Sequence, residues 1–249
     1  MMDLAPLFIS ILLRVMEPPH RPRIVETVSV TGAATSIVTP AAVTALDRED
    51  LSGSPAGTLD DALRAIPGFS LFRRSSSRVA NPTTQGATLR GLAASGSSRA
   101  LVLADGVPLN DPVGGWVYWN RVPVVAIEEV TVARGASGDL RGADAIAGVI
   151  ALRSIARSGF RALAEAGSHQ TARGSFFGGW SEGDTDFVVS AEAFTTDGFV
   201  LTGEESRGPI DVEARSRHGS AHGGLGLVSG DSRVMLRGAH FGESRGNGT

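Results

Sequence analysis

The side chains that could do chemistry are few and dispersed. Gly135-Ala136-Ser137-Gly138 sets a serine among glycines but lacks the Gly-x-Ser-x-Gly spacing of a nucleophile elbow, and no histidine stands where it would serve as the base. His218 and His222 are four apart, a helical pairing for a metal. The glycine-punctuated alternation around them is that of a strand, which would hold them roughly 13 Å apart as two ordinary polar residues. The acidic pairs Asp60-Asp61 and Glu128-Glu129 are adjacent, so their carboxylates diverge, and they read as a solvated helix start and a strand edge. The chain contains no lysine and no cysteine. That excludes the phosphate-gripping lysine of a P-loop, Schiff-base chemistry, thiolate metal sites and disulfides. A net charge of -3 lacks the basic excess of a nucleic-acid binder. No catalytic residue, cofactor or metal site is expected, and the chain does not read as an enzyme.

The elements carry more information than the reactive groups. The apolar stretch Leu4 to Leu13 is about half the roughly 20 residues of a membrane-spanning helix, and reads as a signal remnant or an irregular N-terminus. Glu17 to Arg23 is a proline-rich linker, followed by the β-prone Ile24 to Thr31. Thr58-Leu59-Asp60-Asp61 resembles a capping box with a short acid at its fourth position. Leu59, Ala62, Leu63 and Ile66 then share one helical face, a core stripe, before Pro67-Gly68 stops the helix. Ala100 to Ala104 is an apolar strand running into the Asp105-Gly106 turn, and further strands are expected at Glu129 to Arg134 and Val149 to Leu152.

After Ser158 the helix signals stop and segments of about ten alternating residues begin. Phe160, Ala162, Ala164 and Ala166 oppose Arg161 and Glu165; Ala172, Gly174, Phe176, Gly178 and Trp180 oppose Thr171, Arg173 and Ser175. Phe187, Val189, Ala191 and Ala193 oppose Asp186, Ser190 and Glu192. Glu213 to Val228 and Arg233 to Ser244 alternate less cleanly. Lipid against a wet lumen would produce this pattern, and so would a half-buried soluble sheet. Five strands do not close a barrel.

Several segments, in order, resemble the plug of TonB-dependent receptors. Glu26 to Gly32 is similar to the TonB-box region, and Thr58 to Phe69 to the helix and Pro-Gly stop that open the plug. Leu89-Arg90-Gly91 with Ala100 to Leu109 resembles the family's "R-G … V-L-x-D-G-V-P-L" element. Ile127 to Gly135 and Gly142 to Ile150 resemble "I-E-x-I-E-V-x-R-G-P … Y-G-x-x-A-x-G-G-V-I", with Ala136, Arg141 and Ala147 departing from it.

The resemblance implies an α+β organisation: an N-terminal segment over 1–24, a TonB box and small mixed α/β plug domain over 25–157, and over 158–249 antiparallel strands of an incomplete transmembrane β-barrel. It implies a Gram-negative outer-membrane receptor for TonB-energised uptake of a scarce nutrient, an iron-siderophore, a cobalamin or similar. Its partners would be that ligand, the outer membrane and a TonB-type energy-coupling protein gripping the strand Glu26, Thr27, Val28, Ser29, Val30 and Thr31 by β-addition. The ligand is expected at plug loops carrying Arg73, Arg74, Arg78, Trp116 and Tyr118, the alternative being that the aromatics, Trp119 above all, pack in the plug core or on the barrel wall. A standalone plug-like periplasmic binding or signalling module is the competing reading.

Overall fold

The computed structural model describes residues 42–73, 75–92, 96–135, 145–155, 158–246 and 248. The segment Glu26 to Thr31 and Arg74 lie outside them. Strands β1 (Ala42–Asp47), β4 (Ala100–Ala104), β5 (Val107–Pro108), β6 (Ile127–Arg134) and β7 (Gly148–Ser154) form one mixed sheet in the order β1-β6-β7-β4-β5. Helices α1 (Arg48–Gly53) and α2 (Leu59–Leu63) and the short ribbon of β2 (Ser70–Leu71) and β3 (Ala87–Thr88) complete this part. β4 pairs parallel to β7, and its continuous apolar run follows from that: its first four residues are all buried. Asp105 and Gly106 take φ of 48° and 86°, the two positive values of a tight hairpin turn joining β4 to β5.

The stripe expected on α2 is core: Leu59, Ala62, Leu63 and Ile66 are buried with Leu51, Leu89, Val102, Val130 and Ile150. The helix is shorter than its pattern suggests, ending at Leu63 with Ile66 in the following turn. Thr58 does not cap it through its side chain, because its hydroxyl donates to the Asp61 carboxylate (3.2 Å). The capping box forms one helix earlier, where Asp47 accepts from the Asp50 amide (2.9 Å) and Asp50 from the Asp47 amide (3.1 Å).

The chain then runs into an antiparallel meander of β8 (Gly159–Gly167), β9 (Thr171–Glu182), β10 (Thr185–Thr196), β11 (Ser216–Ser229) and β12 (Ser232–Arg245), paired in sequence order. Its faces are inverted relative to a soluble sheet. Phe160, Trp180 and Phe187 are 68%, 50% and 45% exposed, whereas Arg173 and His218, on the other face, are 7% and 4% exposed. Register aligns the exposed side chains into one apolar surface: Ala162 pairs Phe176, Phe187 pairs both Trp180 and Leu225, and Leu225 pairs Leu236. The mixed-sheet part lies on the opposite, polar face, and the two form one compact unit. This is the expected architecture of a small mixed domain followed by strands of an incomplete barrel.

Candidate functional site

The meander has two unlike ends. At one, two-residue turns Gly183-Asp184 and Gly230-Asp231 join the strands, and β8 begins there just after β7 ends. At the other stand the turn 168–170 and the connection 197–215. This long connection is internally braced: Asp211 accepts from the Gly208 amide (2.6 Å) and the Thr202 hydroxyl (2.8 Å), which hold its carboxyl below the usual range, the Gly208 bond contributing most.

The plug loops meet the wall near the long-loop end. Arg78 is half-buried, with its guanidinium 5.7 Å from the centre of the Phe194 ring. Phe194 stacks on His218 (4.9 Å), which sits 3.3 Å from Glu192, and Arg173 covers the same ring and pairs with Glu165 (3.4 Å). Tyr118 lies edge-on to Trp116 (6.4 Å) and to Phe241 of β12 (6.0 Å), with the Arg121 guanidinium 5.1 Å from its ring. Trp116 is half-buried, and its indole N–H has no hydrogen-bond partner among the described residues. Trp119 is core, edge-on to Phe69 at 6.2 Å. Arg73 is exposed and stands apart, its carbonyl accepting from Arg64 (3.4 Å). The structure thus brings Trp116 and Tyr118 together with Arg121, puts Arg78 in a neighbouring cluster, and leaves Arg73 outside both.

The two histidines face the plug with separate partners: His218 has Glu192 and Phe194, and His222 contacts the Arg121 carbonyl through Nε2. The acidic pairs differ from their sequence reading. Asp61 is half-exposed and paired with Arg64 (3.1 Å), but Asp60 is fully buried, its carboxylate accepting from the Ser77 amide (2.8 Å) and hydroxyl (2.6 Å). Burial pushes the Asp60 carboxyl up against the opposing pull of those bonds. Glu128 and Glu129 lie on β6, which is paired on both sides, and they bind Arg48 and Arg153 respectively. The Arg153 hydrogen bond is the main cause holding the Glu129 carboxyl low.

Residues that pattern reading passed over join plug to wall. Asn120 donates to the Ser77 carbonyl (3.2 Å) and to Glu243 (3.4 Å), and Arg245 reaches the Ser77 carbonyl and Glu243 (2.6 Å). Nearer the tight-turn end Asp105 accepts from Arg237 (2.6 Å) and from the Ser154 amide (2.8 Å). A cavity of about 450 Å³ separates the β4–β5 hairpin from the wall, lined by Val107, Leu109, Val122, Phe177 and Val188 among others. No local signal marks these contacts, because, the Arg245–Glu243 pair aside, their partners lie 43 to 168 residues apart in sequence.

A small mixed-sheet domain held on the polar face of a meander whose apolar face is bare is the arrangement of a plug seated against the wall of a transmembrane β-barrel. Residues 35–149 match the TonB-dependent Receptor Plug Domain. Residues 35–149 are thus plug-domain sequence of the TonB-dependent receptor type, and strands of barrel character follow them. It is 36% identical over 110 residues to the Vitamin B12 transporter BtuB of Vibrio vulnificus, covering 44% of this chain and 17% of that protein. Over 139 residues it is 33% identical to an Iron-regulated outer membrane virulence protein of Vibrio cholerae, covering 50% and 19%. The siderophore receptor PirA from Acinetobacter baumannii superposes with a TM-score of 0.60 at 20% identity, over 82% of this chain and 32% of that one. The chain therefore spans under a fifth of these curated relatives and about a third of that solved structure.

Proposed function

We propose that this chain serves TonB-energised uptake of a scarce, bulky nutrient, a metal chelate or a cobalamin, across the outer membrane. The observation that carries the reading is the inverted sheet, polar side to the plug and apolar side bare, since a sheet in water would bury the apolar side instead. Relatives that transport vitamin B12 or bear the name siderophore receptor support the nutrient class. A match that runs over 82% of the chain, wall strands included, weighs against a free-standing plug module.

In such barrels short turns face the periplasm and longer loops the outside. On that orientation the long connection 197–215, Arg78 and the Trp116–Tyr118 pair would face outward, toward arriving ligand, and Arg73 and Arg74 are close to Arg78 in sequence. Trp116 and Tyr118 offer aromatic faces beside the cation of Arg121, a combination suited to a polar ligand with conjugated rings. Glu26 to Thr31 is the periplasmic handle, a β-prone strand after a proline-rich linker.

The test is a backbone one. Val28→Pro removes a ladder donor, whereas Val28→Ala keeps it. Cells carrying the proline variant should bind a ferric siderophore or cyanocobalamin at the surface yet fail to take it up, with the alanine variant nearly normal. Loss of binding together with uptake would make this strand part of the plug's fold. Tyr118→Ala should weaken surface binding at unchanged receptor abundance; a matched fall in abundance would make Tyr118 a packing residue on β12.

A further inference from the structure

We infer that Asp60, Ser77 and Asn120 form a proton-controlled hydrogen-bond relay that sets how firmly the plug loop at Ser77 is tied to wall strand β12. The geometry has more acceptors than hydrogens. The Ser77 hydroxyl lies 2.6 Å from Asp60 Oδ1 and 3.2 Å from Asn120 Oδ1, and it has one hydrogen to give. The orientation of the Asn120 amide is not free, because its Nδ2 faces the Ser77 carbonyl (3.2 Å) and the Glu243 carboxylate (3.4 Å), both acceptors. Its Oδ1 must therefore be the atom facing Ser77.

While Asp60 is ionised it takes the Ser77 hydrogen, and Ser77 Oγ and Asn120 Oδ1 are left as two acceptors facing each other. A proton added at Asp60 Oδ1 reverses the chain. Asp60 then donates to Ser77 Oγ, Ser77 donates to Asn120 Oδ1, and the Ser77 amide still donates to Asp60 Oδ2 (2.8 Å). Every donor then has an acceptor, and Asn120 is bound to Ser77 at both ends of its amide. The gain reaches the wall because Asn120 and the Ser77 carbonyl are the groups that meet Glu243 and Arg245.

Asp60 is fully buried, and among the described residues no cation contacts its carboxylate to hold the proton off. The charged groups around it are otherwise engaged. On α2, Asp61 is paired with Arg64; on its own loop, Arg78 lies over Phe194. On the turn Trp119–Arg121, Arg121 lies against Tyr118 and Phe241, and on β12 Glu243 and Arg245 pair with each other. Burial, which favours the neutral acid, works in the same direction.

The experiment uses the purified chain in lipid vesicles, with infrared difference spectra and peptide hydrogen exchange recorded from neutral to acid pH and corrected for intrinsic exchange. Wild type should show a protonated-carboxyl stretch that is missing in Asp60→Asn. With it, peptides spanning 76–80 and 241–245 should gain protection by about two- to tenfold, the range of one net hydrogen bond. Asp60→Asn imitates the protonated state, with its amide donating to Ser77 Oγ, so it should be protected at every pH. Ser77→Ala should keep the acid band and lose the change in protection. The relay is wrong if no band belongs to Asp60, or if either variant keeps the wild-type pH response.

Discussion

Phe176→Arg tests which face of the meander meets lipid. Phe176 is the sixth of twelve residues in β9 and is 39% exposed, flanked across the strands by Ala162 and Ala191. Five residues at about 3.4 Å each, tilted by about 40°, put it roughly 13 Å above the strand's start, the middle of an apolar band about 25 Å tall. An arginine there should cost about 2–4 kcal/mol. At about 1.4 kcal/mol per decade, the folded-to-unfolded ratio falls about 30- to 700-fold. Trp180→Arg, two residues from the end of β9, lies near the interface and should cost about 0–1 kcal/mol. The control on the opposite face is Leu163→Arg, at nearly the same depth through its pairing with Ser175 and 40% exposed, which should change stability by under about 1 kcal/mol. Urea titrations of the protein folded into lipid vesicles, read by gel mobility without heating, give all three values. Equal costs for Phe176→Arg and Leu163→Arg would refute a lipid-facing surface, as would a Trp180→Arg penalty as large as that at the middle of the strand.

Leu63→Ala empties a fully buried position in the plug core and should destabilise it by about 2–5 kcal/mol, seen in urea titrations followed by the fluorescence of buried Trp119. Gly198 has φ of +70°, and a Cβ there would run into the Ala214 carbonyl, so Gly198→Ala should expose 197–215 to limited proteolysis while the wall strands stay protected. Glu129 is held low mainly by Arg153, so its contribution is present above the unfolded carboxylate pKa and lost as pH falls through the lower folded value. Arg153→Ala should flatten that part of the acid side of the stability profile. Asp60 has the opposite sign: its raised carboxyl penalises folding while ionised, and acidification through the raised value relieves that penalty, so Asp60→Asn should remove a gain on the acid side rather than a loss.

Much of the fold was legible because it is local. The period-2 alternation located all five wall strands to within a few residues, since side chains on a strand must alternate whatever surrounds it. The stripe of Leu59, Ala62, Leu63 and Ile66 marked the core for the same reason, and Asp105-Gly106 marked a turn because few other dipeptides accept two positive φ values. Alternation could not say which face is wet. Period 2 is identical for a membrane wall and a soluble sheet, and only the exposure of Phe160, Trp180 and Phe187 against the burial of Arg173 and His218 decided it. Local pattern also misjudged the caps, because Thr58-x-x-Asp61 and Asp47-x-x-Asp50 look equally able to close a box and only the folded backbone selects the second. The candidate site was the least legible part. Asp60 reads as a solvated helix start until Ser77, 17 residues on, supplies two donors to its carboxylate, and Arg245 reaches the carbonyl of that serine across 168 residues. Such contacts are set by how the plug seats on the wall, a long-range outcome that leaves no periodic trace in the chain.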